Sequence, residues 1–181
     1  MRLNRFAMTL GTAAALAAIA ACGGDDNGPS GPDPNKRVEV FEAIMSGANE
    51  TTQPNTSTAG GSGTLRIYST RADASSPFVA DSMRYDLSWN GLTNNSSGAH
   101  IHAPAAHGAN ASVVHNFAAP AVTTGSVSGV FTVPSNTITA TSGLNLQQLA
   151  EAIRAGNAYF NVHSTPSYGG GEIRGQLVPA T

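Results

Sequence analysis

Beyond about residue 36 the chain is built from short runs in which apolar and polar residues alternate. The clearest is Ala80–Asn90, where Met83, Tyr85, Leu87 and Trp89 share one parity and Ser82, Arg84, Asp86, Ser88 and Asn90 the other. Side chains on a strand point to opposite faces with period two, so this reads as a half-buried antiparallel strand. Further strands are expected at Arg37–Ser46, Gly63–Ser69, Ala99–His102, Ser112–Phe117 and Ser126–Val133. The stretch 157–177 supplies two more, joined by a loop at 164–171. Ala158, Phe160, Val162, Ile173, Gly175 and Leu177 form the apolar faces of that pair, and Asn161, His163, Glu172, Arg174 and Gln176 the polar ones. The long segment 47–63 is dense in Gly, Asn, Thr and Pro and reads as a loop.

One segment breaks the period-two pattern. Leu146, Leu149, Ala150 and Ile153 recur at helical spacing. Asn145 with Gln148 three residues on is a capping-box signature, and Gly156 stands where a helix ends. A helix over 146–155 is therefore predicted, between the strand ending at Val133 and the one starting near Ala158. Many short strands with frequent turns predict an all-β class, an antiparallel Greek-key β-sandwich with one short helix.

The first 36 residues follow other rules. Arg2 and Arg5 precede an apolar run from Phe6 to Ala21, 16 residues and short for a membrane span. This is the form of a secretory signal peptide. The junction Ile19-Ala20-Ala21-Cys22-Gly23 resembles a bacterial lipoprotein signal, which implies cleavage before Cys22 and lipidation of that residue, the chain's single cysteine. Several acyl chains on one residue give stable anchoring. Gly23 rather than Asp after the cysteine resembles signals retained at the outer membrane. Residues 23–36 hold Gly, Pro, Asp, Asn and Ser without an apolar side chain, the composition of a tether. The expected organisation is a signal peptide over 1–21, lipidated Cys22 with a tether over 22–36, and a domain over 37–181. It places the protein across the inner membrane, lipid-anchored at the outer membrane or cell surface.

Composition narrows the function. Charged residues are only 11% and the net charge is -2, so there is no basic footprint for nucleic acid. One cysteine excludes an intrachain disulfide. No G-x-S-x-G element occurs, and Gly169-Gly170-Gly171 lacks the lysine and helix of a phosphate loop. Nothing in the sequence brings two carboxylates together for hydrolysis. No catalytic activity is expected.

The blocks SGANE (46–50), GAHIHAPAAHGANASVV (98–114) and YFNVHS…GGGEIRGQL (159–177) resemble the CHRD domain, named after chordin and found in many bacterial secreted proteins. The resemblance covers about Val38–Val178. Departures are mild: Ala103 stands where Gly is usual, Ser164 where Thr is frequent, and Thr51-Thr52 where an apolar residue and Pro are frequent. The resemblance implies an extracellular β-sandwich and leaves the activity open.

The histidines are the candidate chemistry. His100 and His102, one residue apart on a strand, project from one face roughly 6.6 Å apart along the chain. His163 lies on a polar strand face, and His115 falls on the expected partner of the His100 strand. Three or four neutral imidazoles suit copper or zinc. A fainter resemblance to copper–zinc superoxide dismutases rests on the His-x-His strand and the later Val-His, without a match for their zinc loop or disulfide. His107, beside Gly108, is expected in solvent. The competing reading is a metal-free polar network of Asn161, Glu172 and Arg174 with the histidines, in which Glu172 and Arg174 pair with each other or with neighbours. Two functions follow. The first is a membrane-tethered, non-catalytic binding or structural module with an envelope protein or glycan partner, its loops 47–63 and 164–171 forming the recognition surface. The alternative is a copper- or zinc-binding extracytoplasmic protein using His100, His102 and His163, with His115 as a possible fourth ligand.

Overall fold

The structure, a computed structural model, describes residues 32–51, 55–132 and 142–181. The expected signal peptide and Cys22, the expected lipidation residue, lie outside the described residues.

Among the described residues, nine antiparallel strands, one α-helix and a 3-10 turn at Gly47–Asn49 make up the domain. The strands are β1 (Lys36–Ser46), β2 (Gly60–Thr70), β3 (Val79–Asn90), β4 (Ser96–His102), β5 (Val113–Phe117), β6 (Gly125–Thr132), β7 (Tyr159–Ser164), β8 (Tyr168–Gln176) and the two-residue β9 (Val178–Pro179). The helix, α1, spans Leu146–Arg154. Pairing runs β5-β4-β7-β8-β1-β2-β3-β6, with β9 added to β1. The passage from β8 to β1 is a single paired position, Ser46 opposite Arg174. There the path folds over, so that β5-β4-β7-β8 faces β1-β2-β3-β6 as the two halves of a sandwich. The all-β class with one short helix is the one expected from the alternation.

The core lies between the halves. Phe160 and Val162 of β7 and Ile173 of β8 are fully buried from one side; Leu65 and Ile67 of β2, with Met83, Leu87 and Trp89 of β3, are buried from the other. The halves approach closely where glycine permits it. A Cβ at Gly63 would lie 2.6 Å from the Phe160 ring, and one at Gly175 would lie 2.6 Å from the Ile44 carbonyl oxygen. At the far edge Tyr85 stacks on Phe117 at 4.1 Å between ring centroids, carrying the aromatic packing across from β3 to β5.

Helix α1 forms for the reasons its sequence states. The Asn145 side chain accepts from the Gln148 N–H and the Gln148 side chain accepts from the Asn145 N–H, both at 2.9 Å. Gly156 takes φ +71 just past the end. Leu146, Leu149, Ala150 and Ile153 are buried. The Gln147 side chain accepts from the Ala80 N–H, and Arg154 pairs with Glu39, fixing the helix against β3 and β1.

Most strand boundaries fall within a few residues of expectation, and three differences change how the chain is organised. β2 begins at Gly60, three residues inside the expected 47–63 loop, because Gly60–Gly63 pair with both Met45 and Trp89 neighbours in full register. β8 begins at Tyr168, so Gly169–Gly171 belong to a strand and the expected 164–171 loop shrinks to 165–167. The last residues of the expected tether are bound to the domain: Arg71 donates to the Pro34 carbonyl and its N–H to that of Asn35.

Gly63→Ala should lower stability by about 1–3 kcal/mol, because its methyl group has to displace a fully buried Phe160 ring. Equilibrium denaturant unfolding measures the change.

Candidate functional site

β7 lies between β4 and β8, and its register aligns the polar residues of three strands. His100 stands opposite Asn161, which stands opposite Arg174; His102 stands opposite Tyr159, which stands opposite Gln176. Gly98 stands opposite His163. With Phe160, Val162, Ala99 and Ile101 turned into the core, these residues occupy the other face of the same strands.

His100, His102 and His163 converge there. Their ligand nitrogens all lie within 4.8 Å of one another. His100 Nδ1 is 3.1 Å from His163 Nε2. Each of the other two rings is oriented by a backbone carbonyl: His102 Nδ1 donates to Ala111 O at 2.9 Å and His163 Nδ1 to Gly169 O at 3.0 Å. A carbonyl can only accept, so it fixes the proton on Nδ1 and leaves the Nε2 lone pair of each ring directed elsewhere. His102 Nε2 is buried and makes no hydrogen bond. Gly98 leaves the space the His100 ring uses, since a Cβ there would lie 3.0 Å from His100 Nε2.

All three rings are held neutral. Burial, reinforced by the adjoining His163 and His102, brings His100 down to about 4. Burial brings His102 to about 4 as well, against the bond to Ala111 and with help from His163 and Arg174. Burial lowers His163, opposed by its bond to Gly169. Neutral imidazole with a free lone pair is the form that binds a metal ion.

The surroundings are equally defined. The Tyr159 ring lies parallel to His102, 2° apart in plane and 4.7 Å between centroids. The Arg174 guanidinium stacks on the same ring at 3.4 Å. Arg174 also donates to Thr51 Oγ1, Asn110 Oδ1 and Ala109 O. Asn161 donates to Glu50 Oε1 at 2.7 Å, while its own Oδ1 is buried without a partner. Burial lifts the Glu50 carboxyl to about 7, against the Asn161 bond, the Arg174 charge and the Thr51 backbone N–H.

One expectation is corrected, and one alternative is decided. His115 does not join the cluster. It stands opposite Ile101, on the core side, and its ring stacks on Phe131 at 4.5 Å. A register shift between Ile101 and His102 sets His102 opposite Val113 instead. Glu172 and Arg174 do not pair. The fully buried Glu172 carboxylate accepts from Ser57, Ser164 and both the N–H and hydroxyl of Thr93. Burial would raise this acid, and those bonds outweigh it and hold it below its ordinary range. Glu172 thus ties the β1–β2 and β3–β4 connections to β7 and β8. His107 is exposed, as expected. Tyr159, Glu50, Asn110 and the carbonyls of Ala111 and Gly169 were not singled out from the sequence. Tyr159 shares the parity of Asn161 and His163, which was a usable signal; backbone acceptors leave none.

A family model described as the CHRD domain matches residues 41–177. No curated protein and no solved structure matches the chain.

At this site the pH dependence of stability has two opposing parts. His100 and His102 bind protons in the unfolded chain from about pH 6.5 downward but in the fold only near 4, so their contribution is lost as pH falls through that window. Glu50 holds its proton in the fold up to about 7 but loses it near 4.5 when unfolded, so its contribution falls as pH rises. Glu50→Gln removes the second part. The metal-free variant should lose stability more steeply than wild type between pH 6.5 and 4.5, measured by urea unfolding at fixed ionic strength.

Proposed function

Starting from a chain that belongs to the CHRD family, we propose a non-catalytic, lipid-tethered module of the cell envelope that binds one copper or zinc ion through His100, His102 and His163. The observation that carries this reading is the buried His102 Nε2, a lone pair without a hydrogen-bond donor beside two other imidazole nitrogens. An unsatisfied buried acceptor costs roughly 1–3 kcal/mol, and a cation relieves that cost where another acceptor does not.

The donor set supports a cation. His163 Nε2 is an acceptor by virtue of its bond to Gly169, and Asn161 Oδ1 adds a further lone pair nearby on the same face. Metal–nitrogen bonds near 2.0–2.1 Å need ligand atoms about 3–4 Å apart, and His100 Nδ1 and His163 Nε2 meet that at 3.1 Å once the His100 proton that bridges them moves to Nε2. Carbonyls behind His102 and His163 supply the outer support that ligating histidines ordinarily have. Among the described residues no thiolate or carboxylate joins the group, and an all-imidazole set suits copper and zinc. The anchor through Cys22 and the envelope location rest on the sequence of residues 1–36. Envelope proteins or glycans remain the partners proposed for the module as a whole.

The protein, purified without a histidine tag and exposed in turn to Cu²⁺ and Zn²⁺, should retain about one equivalent of metal after dialysis, counted by mass spectrometry. His100→Ala, His102→Ala and His163→Ala should each lose it while keeping the β-sheet circular dichroism. His115→Ala should keep it. Absence of retained metal in the wild type would return the histidines to a structural role.

A further inference from the structure

Among the described residues Arg174 is a buried charge with no carboxylate at salt-bridge distance, the Glu50 carboxyl acting on it only through space. It is 2% exposed, and among the described residues it makes no salt bridge. All three of its side-chain acceptors, Thr51 Oγ1, Asn110 Oδ1 and Ala109 O, are neutral. Removing a guanidinium from water for neutral partners is a poor source of stability. What the arrangement does provide is geometry.

The two reaches of Arg174 end on the same histidine. Its guanidinium plane lies on Tyr159, a residue of β7, and the Tyr159 ring lies on His102, which comes from β4 on the other side of β7. Its N–H groups hold residues 109 and 110, and the next residue, Ala111, presents the carbonyl that takes the His102 Nδ1 proton. The Ala111 N–H donates in turn to the Tyr159 hydroxyl at 3.3 Å. Thr51 braces the loop from β1's side by donating to Asn110 Oδ1 at 2.6 Å. His102 is thereby fixed in ring plane by the stack and in tautomer by the loop.

We propose that Arg174 is a positioning residue for the three-histidine centre, clamping the 109–111 loop and the Tyr159 ring so that His102 presents Nε2 to the metal. The inference rests on the metal reading above. The role calls for arginine specifically. A planar fork stacks on Tyr159 and serves three acceptors at once, whereas a lysine ammonium is a single point of charge on a flexible stem.

The test uses the full chain as wild type, Arg174→Lys and Asn110→Ala, with Cu²⁺ and Zn²⁺ affinities measured by chelator competition and the Cu²⁺ form examined by electron paramagnetic resonance. Arg174→Lys should weaken both metals by about 10–100-fold, the range for lost outer support of a ligating histidine. Asn110→Ala should weaken them less. In both, the single Cu²⁺ spectrum should split into more than one species as His102 loses its fixed tautomer, which a simple loss of stability does not produce. Wild-type affinity with a wild-type spectrum in a folded Arg174→Lys protein overturns the proposal. Should that variant not fold, the same result in Asn110→Ala, whose side chain lies at the surface, overturns it. Failure of the wild type itself to bind either metal is a separate outcome, which removes the metal reading and this inference with it.

Discussion

The register of β7 between β4 and β8 is the constraint on which the rest depends. Each of its residues is committed to one of two faces, and both faces are filled. Phe160 and Val162 sit at the centre of the core, while Tyr159 and Asn161 line up with polar residues of both neighbours and His163 stands opposite Gly98 on the same face. A slip of one residue would exchange the two sets, driving Asn161 and His163 toward Leu87 and Gly63 and exposing Phe160. The close approach at Gly63 sharpens the penalty, since the Phe160 ring, with Leu87 beside it, fills the space that glycine leaves.

A second device acts at one end of the sandwich. Strand pairing alone does not place the connections, and the chain is poor in the charges that would pair across its surface. The buried Glu172 carboxylate does this instead, gathering hydroxyl and backbone donors from the β1–β2 connection, the β3–β4 connection and β7. Its charge is met entirely by hydrogen bonds, the condition under which a buried carboxylate stays ionised. Arg174, two residues along the same strand, performs a comparable service with opposite charge for the loop at 109–111. The two ions share a strand and a direction of reach without meeting each other.

Much of this was legible in the sequence, for a simple reason. Alternation at Met83–Trp89 and at Phe160–Val162 reports burial directly, and the Asn145–Gln148 box reports a helix start that the structure reproduces atom for atom. The His100–His102 spacing placed both rings on one face, and the polar parity of β7 supplied His163. What parity could not supply was a register shift. The irregularity after Ile101 sets His102 opposite Val113, while His115 follows the regular register opposite Ile101, in parity with Phe117, and so faces Phe131. Same-face reasoning left open whether Glu172 and Arg174 pair with each other or with neighbours, because it counts positions on a strand and not the loops that arrive above them. The carbonyls of Ala111 and Gly169 have no side-chain signature, and β9 is too short to show a period.

The separation of the two faces also bears on how such a domain changes over generations. Folding information and the polar chemistry of the outer face are written in alternate letters of the same strands, so a substitution at 100, 102, 161 or 163 leaves the core alphabet at 99, 101, 160 and 162 intact. A lineage carrying this sandwich can therefore replace one set of polar side chains with another while inheriting the same scaffold unaltered. Divergent surface chemistry among proteins sharing this β4–β7–β8 face is the natural outcome of such an alphabet.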